Sequence, residues 1–207
     1  MKTFKQSLLV LVIATTLFAC KKDKEKVDEL AKQEVLQKKI ADIIPKEFQD
    51  TLTKLGLVIN QDVNPPKFNN EAFIFTPFVL FKSNRSQDVP NLKFLDGRVK
   101  FFDQDQDNNI KLIGKNLLNE ADTSIVTAIS GSGNQFTIYG KVKSFAGTNS
   151  AVFAIVISGS REGTELKDIR MGIINIDNSK GGTRFIKQGE ARVAFDTDKI
   201  SGQIPMF

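Results

Sequence analysis

Apolar and polar residues alternate with a period of two over most of the chain after residue 71, which is typical of β-strands with one buried face. Within residues 136–143, for example, Phe136, Ile138 and Val142 alternate with Thr137 and Tyr139 or with lysines. Two other runs, residues 72–81 and 151–157, are apolar almost throughout, as in strands that are buried on both faces. The pattern predicts roughly eight to ten strands, among them residues 72–81, 92–102, 110–115, 124–130, 151–157, 169–173 and 191–195.

Clusters of Asn, Asp, Gly and Ser separate these runs and predict turns at residues 103–109, 130–134, 147–150 and 178–182. Short connections favour antiparallel neighbours. We therefore expect a mainly β domain over residues 57–207, built as a single antiparallel meander. Such a meander forms either a barrel or a sandwich. We favour an up-and-down barrel, because closure removes the exposed strand edges.

A helical period precedes the strands. Apolar residues recur at three- and four-residue spacing and end in the stripe formed by Leu36, Ile40, Ile43 and Ile44. Pro45 cannot continue a helix but can begin another, and Gly56 suits a helix C-terminus. The pattern predicts a helical segment over residues 27–56. This segment either bridges an N-terminal tether and the β domain, plugs one end of that domain, or is a surface helix that only sets spacing.

The first twenty residues have the pattern of an export signal. Lys2 and Lys5 precede an apolar stretch at residues 7–18, which is shorter than the roughly 20 residues of a membrane-spanning helix. Leu17-Phe18-Ala19-Cys20 follows, and this tetrapeptide resembles the lipobox of bacterial lipoproteins.

That resemblance implies a signal peptide over residues 1–19 that is cleaved before Cys20. It also implies lipid attachment to Cys20, whose thiol is a good nucleophile for thioether formation. Residues 20–26 then form the lipidated cysteine and a polar tether. The expected location is the cell envelope, with the chain anchored through lipid to the outer membrane, on either its periplasmic side or the cell surface. Stable anchoring needs two or more acyl chains.

Composition restricts the chemistry. The chain has no His and no Trp, and Cys20 is its only cysteine. Ser-His-Asp, Cys-His and the usual zinc mechanisms are thereby excluded, and we expect no enzymatic activity. The formal net charge of +5 arises partly from the N-terminal lysines, and no nucleic-acid motif is present. A nucleic-acid partner is therefore not expected.

The acidic loop at residues 103–109, the first of these predicted turns, is the sharpest metal candidate. Asp103, Asp105 and Asp107 alternate along it, and alternate carboxylates on a tight turn can converge on calcium. However, Asn108 and Gly114 occupy the positions where a helical calcium loop has its turn glycine and its bidentate glutamate. We favour a polar hairpin loop, with no cofactor expected and a weak calcium site as the alternative.

Aromatic residues are concentrated in the first strands. They could line a ligand cavity, because a barrel of about eight strands can hold one small ligand, or they could simply fill the core. Met171 and Phe153 allow the same two interpretations. The candidate ligand-binding residues are Phe73, Phe75, Phe78, Phe81, Phe94, Phe101 and Phe102.

Two glycine-serine motifs, at residues 130–133 and 158–160, lack the lysine and the strand-to-helix setting of phosphate loops and are interpreted as turns or strand kinks. Together with other short sequence segments, these two motifs resemble those of uncharacterised lipoproteins common in Bacteroidota. The matching segments are NPP (64–66), ISGSGNQFTIY (129–139), ISGS (157–160) and GEARV (189–193). The resemblance covers most of the mature chain and implies a lipocalin-like β-barrel outline in the envelope. It carries no known catalytic residue.

The expected function is non-enzymatic binding of a small apolar ligand, a glycan or a partner protein by a membrane-anchored domain. One alternative is a structural or assembly lipoprotein that docks on an outer-membrane complex. A third hypothesis is a His-free enzyme that uses Asp or Glu. A binder should have a buried cavity, an assembly factor an exposed apolar patch, and an enzyme two carboxylates with shifted pKa values in one cleft.

Overall fold

The computed structural model describes residues 26–119 and 121–205. The predicted signal peptide, the lipidation site Cys20 and the tether up to residue 25 lie outside the described residues. Lys26 is the first residue of a helix.

Two helices precede the strands in the described part of the chain, α1 over residues 26–43 and α2 over Lys46–Lys54. Pro45 occupies the N-cap of α2. At its other end the Gly56 N–H donates to the Thr53 carbonyl and the Leu57 N–H donates to the Leu52 carbonyl, which is a Schellman motif with Gly56 at positive φ. The predicted helical segment and its glycine terminus are confirmed. Neither described helix is long and apolar enough to cross a membrane.

The rest of the described chain is mainly β, as predicted. The longest strands lie in its second half, and two of the strands have only two residues. In chain order the strands are β1 (Val63–Asn64), β2 (Glu71–Phe75), β3 (Phe78–Ser83), β4 (Gly97–Phe102), β5 (Lys111–Lys115), β6 (Asp122–Thr123), β7 (Val126–Ser132), β8 (Gln135–Ala146), β9 (Asn149–Glu162), β10 (Glu165–Lys180), β11 (Ala191–Asp196) and β12 (Ile200–Ile204).

The strands form one sheet in the order β1-β7-β8-β9-β10-β12-β2-β4-β5-β6, and β11 pairs with β10 and β3. Consecutive antiparallel pairing, as in the predicted meander, is found from β4 to β6 and from β7 to β10. The prediction of a single meander is otherwise wrong, since β1 runs parallel to β7 and β3 pairs with β11 instead of β2. The ladder is not closed by hydrogen bonds. Its end strands are β1 and β6, and β7, the neighbour of β1, follows β6 in sequence after only Ser124 and Ile125.

Strand β10 explains part of the difference between the observed strand order and the predicted meander. It is 16 residues long, and its register against β9 shifts between Lys167 and Arg170. Before this bulge β10 pairs with β12, and after it β10 pairs with β11. A bulge bends a strand and increases its twist, so one long strand has different neighbours along its length.

Two hydrophobic cores lie on opposite faces of the long strands. The first contains alternate residues of β9 such as Ile155 and Ile157. The second contains Ala154 and Val156 together with apolar residues of the helical segment, including Ile40 and Leu52. The continuous apolar run at residues 151–157 is therefore buried on both sides. From Leu36 onward the helical segment covers a face of the sheet; it does not plug an end.

Candidate functional site

A cavity of about 470 Å³ extends from the edge of the first core. This volume is within the roughly 300–1,000 Å³ typical of small-molecule sites. Its floor is formed by apolar side chains of the sheet. They lie on one face because successive side chains along a strand point to opposite faces. These residues are Phe78, Phe153, Met171, Ile173 and Ala194.

Three connections between strands complete the cavity wall with further apolar residues. The ring centroids of Phe78 and Phe94 are 5.9 Å apart, and those of Phe153 and Phe185 are also 5.9 Å apart. Both distances are within the range of favourable aromatic pairs. The loop residues that line the cavity are Phe94, Leu95, Leu117, Leu118, Phe185 and Ile186.

The connection between β10 and β11, residues 181–190, is held by hydrogen bonds to its own strand. The buried Asn175 donates from Nδ2 to the Ile186 carbonyl at 2.6 Å, and its carbonyl accepts from the Gly189 N–H at 2.9 Å. The Arg184 N–H donates to the Gly181 carbonyl at 3.3 Å. These bonds fix the backbone that places Arg184 and Phe185 on the cavity wall.

Four polar side chains also line the cavity: Asn116, Asn119, Arg184 and Arg192. Asn119 donates to Asp122 at 2.8 Å and accepts from the Ser144 hydroxyl at 2.7 Å. Asn116 donates from Nδ2 to the Asp96 carbonyl at 3.2 Å. Both asparagines thus use amide groups to fix the loop at residues 116–119.

Arg192 belongs to an ion-pair network beside the cavity. Its guanidinium donates two hydrogen bonds of 2.7 Å to Asp88, whose carboxylate also accepts from Ser83 and Arg85. Arg85 in turn pairs with Glu190 at 3.1 Å. The hydrogen bond from Arg192, aided by those from Ser83 and the nearby arginines, lowers the pKa of Asp88 to about 2 although burial acts in the opposite direction. The charge of Arg192 is therefore neutralised within the protein.

Arg184 differs from the other polar residues of the wall. It is exposed, and its side chain has no hydrogen bond or ion pair with any residue in the described part of the chain. No Asp or Glu is among the described residues that line the cavity. Over its described lining the cavity is therefore mostly apolar, with one uncompensated positive charge, that of Arg184.

The structure separates the seven candidate phenylalanines into three groups. Phe78 and Phe94 line the cavity. Phe73, Phe75 and Phe101 are fully buried and fill the first core. The remaining two, Phe81 and Phe102, are not among the cavity-lining residues.

Phe81 and Phe102 pack against cations instead. The guanidinium of Arg170 lies 4.2 Å from the ring centroid of Phe81, and the same arginine donates to the carbonyl of Gly56. The ammonium of Lys111 lies 5.7 Å from the ring centroid of Phe102. Such contacts are favourable because a ring face is electron-rich. Phe81 therefore supports the end of α2.

The acidic loop does not bring its three carboxylates together. Asp103 pairs with Lys111 at 2.6 Å, whereas Asp105 accepts hydrogen bonds from the backbone N–H groups of Asp107 and Asn109 and from the Asn109 side chain. Burial raises the pKa of Asp105, but these hydrogen bonds outweigh it and the net shift is downward. The geometry is that of a turn held by Asx hydrogen bonds.

A lysine of α1 binds to the same loop. Lys39 donates from Nζ to the Asp107 carbonyl at 2.8 Å and to Asn109 Oδ1 at 2.6 Å. Among the described residues, no group of three or more acidic, Cys or His side chains is arranged to hold a metal ion. The weak calcium alternative therefore gains no support from this geometry.

Sequence reasoning missed most of the loop residues of the cavity. Leu117-Leu118 and Phe185-Ile186 are apolar pairs inside polar, turn-rich connections. An apolar pair in such a connection indicates that this part of the loop is packed against the domain, because an exposed loop is not stabilised by apolar side chains. Nothing in the sequence identifies Arg184 as a cavity residue, since surface arginines are common.

No protein-family model matches the sequence, and the searches of curated proteins and of solved structures found no significant match.

Proposed function

We propose that this chain is a lipid-anchored protein of the cell envelope, held at the outer membrane through Cys20, that binds a small apolar ligand without catalysis. The cavity of about 470 Å³ is the observation that carries the proposal. Its lining is dominated by Phe, Leu, Ile and Met, which favours apolar ligands. The lipobox-like tetrapeptide at residues 17–20 supports the location.

The proposal includes a lipocalin-like barrel. Strand β7, the neighbour of the end strand β1, follows the other end strand β6 in sequence. Two backbone hydrogen bonds link this part of the chain to β5 and to the loop before it: Ser124 N–H donates to the Leu112 carbonyl at 3.3 Å, and Ile129 N–H donates to the Asn108 carbonyl at 3.0 Å. These contacts support a closed interior, in which the first core is the packed part and the cavity is the open part. The resemblance to Bacteroidota lipoproteins is consistent with the same fold.

Native mass spectrometry of the gently purified full chain tests the proposal. We expect a co-purifying small molecule that is lost on denaturation, because apolar ligands leave an apolar cavity slowly in water. A bare chain that also fails to bind added apolar molecules would contradict the proposal. That result would favour the alternative, a structural lipoprotein that docks on an outer-membrane complex.

A cavity-filling variant gives the sharper test. Ile173→Trp places a larger side chain on the cavity wall, so we expect it to lower the affinity for an apolar ligand at least tenfold while the fold is kept. Ile176→Trp is the matched control, because Ile176 is in the same strand but packs against the second core. Affinity can be measured with the neutral fluorophore N-phenylnaphthylamine. Equal affinities for both variants would show that binding occurs elsewhere.

A further inference from the structure

We propose that the cavity ligand is an amphiphile with one carboxylate head, such as a fatty acid, and that Arg184 binds this head. The inference rests on the proposed function, because it specifies the ligand of the same cavity. It follows from the polar side chains on the cavity wall and from what each of them already contacts.

Three of the four polar side chains are occupied by the protein itself. Asn119 bonds to Asp122 and Ser144, Asn116 bonds to the Asp96 carbonyl, and Arg192 forms a bidentate pair with Asp88. Arg184 has no such bond within the described residues. It is therefore the side chain with free donors for a ligand.

The charge of the site favours an anion with a single charge. Asp88 and Glu190 balance Arg85 and Arg192, so this network has no net charge. Arg184 adds one positive charge, and no described acidic residue lines the cavity. A guanidinium binds a carboxylate through two parallel hydrogen bonds. A monocarboxylate would balance this charge, whereas a cationic head would be repelled.

The position of Arg184 suits a head at the wall and a tail inside. Its backbone is fixed by the hydrogen bond to Gly181, and its neighbour Phe185 packs on Phe153 at the cavity wall. Arg184 itself is exposed, so a bound head would keep contact with water while the chain enters the apolar space. A few fixed polar groups beside an apolar pocket orient a ligand in this way.

The experiment compares three unbranched probes of the same number of carbons that differ in the head group: dodecanoate, dodecanol and dodecylamine. Each displaces N-phenylnaphthylamine from the purified full chain, from Arg184→Gln, and from the control Lys187→Gln. Lys187 is an exposed cation of the same connection that does not line the cavity. For the unmodified chain we expect dodecanoate to bind about tenfold more tightly than dodecanol, as for one charge-assisted pair, and dodecylamine to bind most weakly.

Arg184→Gln should remove the preference for dodecanoate and leave the affinity for dodecanol unchanged, whereas Lys187→Gln should keep the preference. Equal binding of dodecanoate and dodecanol by the unmodified chain would overturn the inference and leave the proposed function intact. A preference that survives Arg184→Gln would overturn the role of Arg184. Failure of all three probes to bind would overturn the proposed function, and this inference with it.

Discussion

Asp88 and Asp196 are both nearly inaccessible carboxylates in different surroundings. The side chain of Asp88 is 4% exposed and is surrounded by Arg85, Arg192 and Ser83, which keep its pKa low. Asp196 is 1% exposed, and its Oδ2 accepts from the Thr76 N–H and the Ser201 hydroxyl. Its Oδ1 has no partner in the described part of the chain. Burial raises the pKa of Asp196 to about 6.

This shift predicts a pH-dependent stability. The folded chain holds the proton of Asp196 more tightly than the unfolded chain, whose carboxyl has the ordinary pKa of 3.8. The resulting stabilisation is present below pH 3.8 and is lost as the pH rises through 6. Asp196→Asn keeps the neutral form at every pH, so we expect it to raise the free energy of unfolding at pH 8 by about 1–3 kcal/mol.

Urea unfolding between pH 4 and pH 8 measures this effect. The gain from Asp196→Asn should shrink towards pH 4, where the native carboxyl is already protonated. Asp62→Asn removes the same charge from an exposed position and controls for the change in net charge. A constant difference between Asp196→Asn and the unmodified chain across this range would contradict the prediction.

At the scale of the elements, one strand glycine determines how closely α2 approaches the sheet. A Cβ on Gly172 of β10 would lie 2.9 Å from a methyl group of Leu52 and 3.1 Å from one of Leu57. The missing side chain therefore allows the apolar face of α2 to pack directly on the strand. The helical segment depends on such packing, since α2 has only nine residues and short isolated helices are marginal in water.

Gly172→Val should separate α2 from the sheet or force its side chains out of their preferred rotamers. Overpacking of this kind costs about 1–3 kcal/mol, and the loss should appear in the free energy of unfolding. Gly202→Val in β12 is the matched control, because a Cβ there meets no atom within 4 Å. A Gly172→Val chain as stable as the Gly202→Val chain would show that this close approach is not needed.

At the scale of the whole molecule, stability is expected to be graded across the sheet. Strand β9 pairs with β8 and β10 along most of its length and is buried on both faces. Strands β1 and β6 have two residues each and lie at the ends of the ladder. The central strands should therefore open only in global unfolding, and the end strands in local openings.

Amide hydrogen exchange measures this gradient. The amides of β9 should exchange most slowly, and those of β1 and β6 faster by at least a factor of ten. A cavity ligand should slow exchange in the connection at residues 181–190, because it would contact Arg184 and Phe185. Equal exchange rates for β9 and the two end strands would contradict the prediction.

Much of the architecture was predictable from local patterns. Alternation located the long strands, Pro45 and Gly56 bounded α2, and the continuous run at residues 151–157 predicted a strand buried on both faces. The split of residues 72–81 into β2 and β3 was not predicted. Pro77 explains it, because proline has no N–H to donate to a strand partner.

Sequence alone determined the mainly β character, the helical segment before it and the exclusion of His-dependent chemistry, because these depend on neighbouring residues or on composition. Tertiary structure decided which phenylalanines fill the core, which line the cavity and which stack on cations. It also joined Phe78, Phe153 and Phe185 around one space and left Arg184 without a side-chain partner among residues 26–119 and 121–205. These properties depend on strand register and on residues far apart in sequence, and the periodicity of a single chain does not encode them.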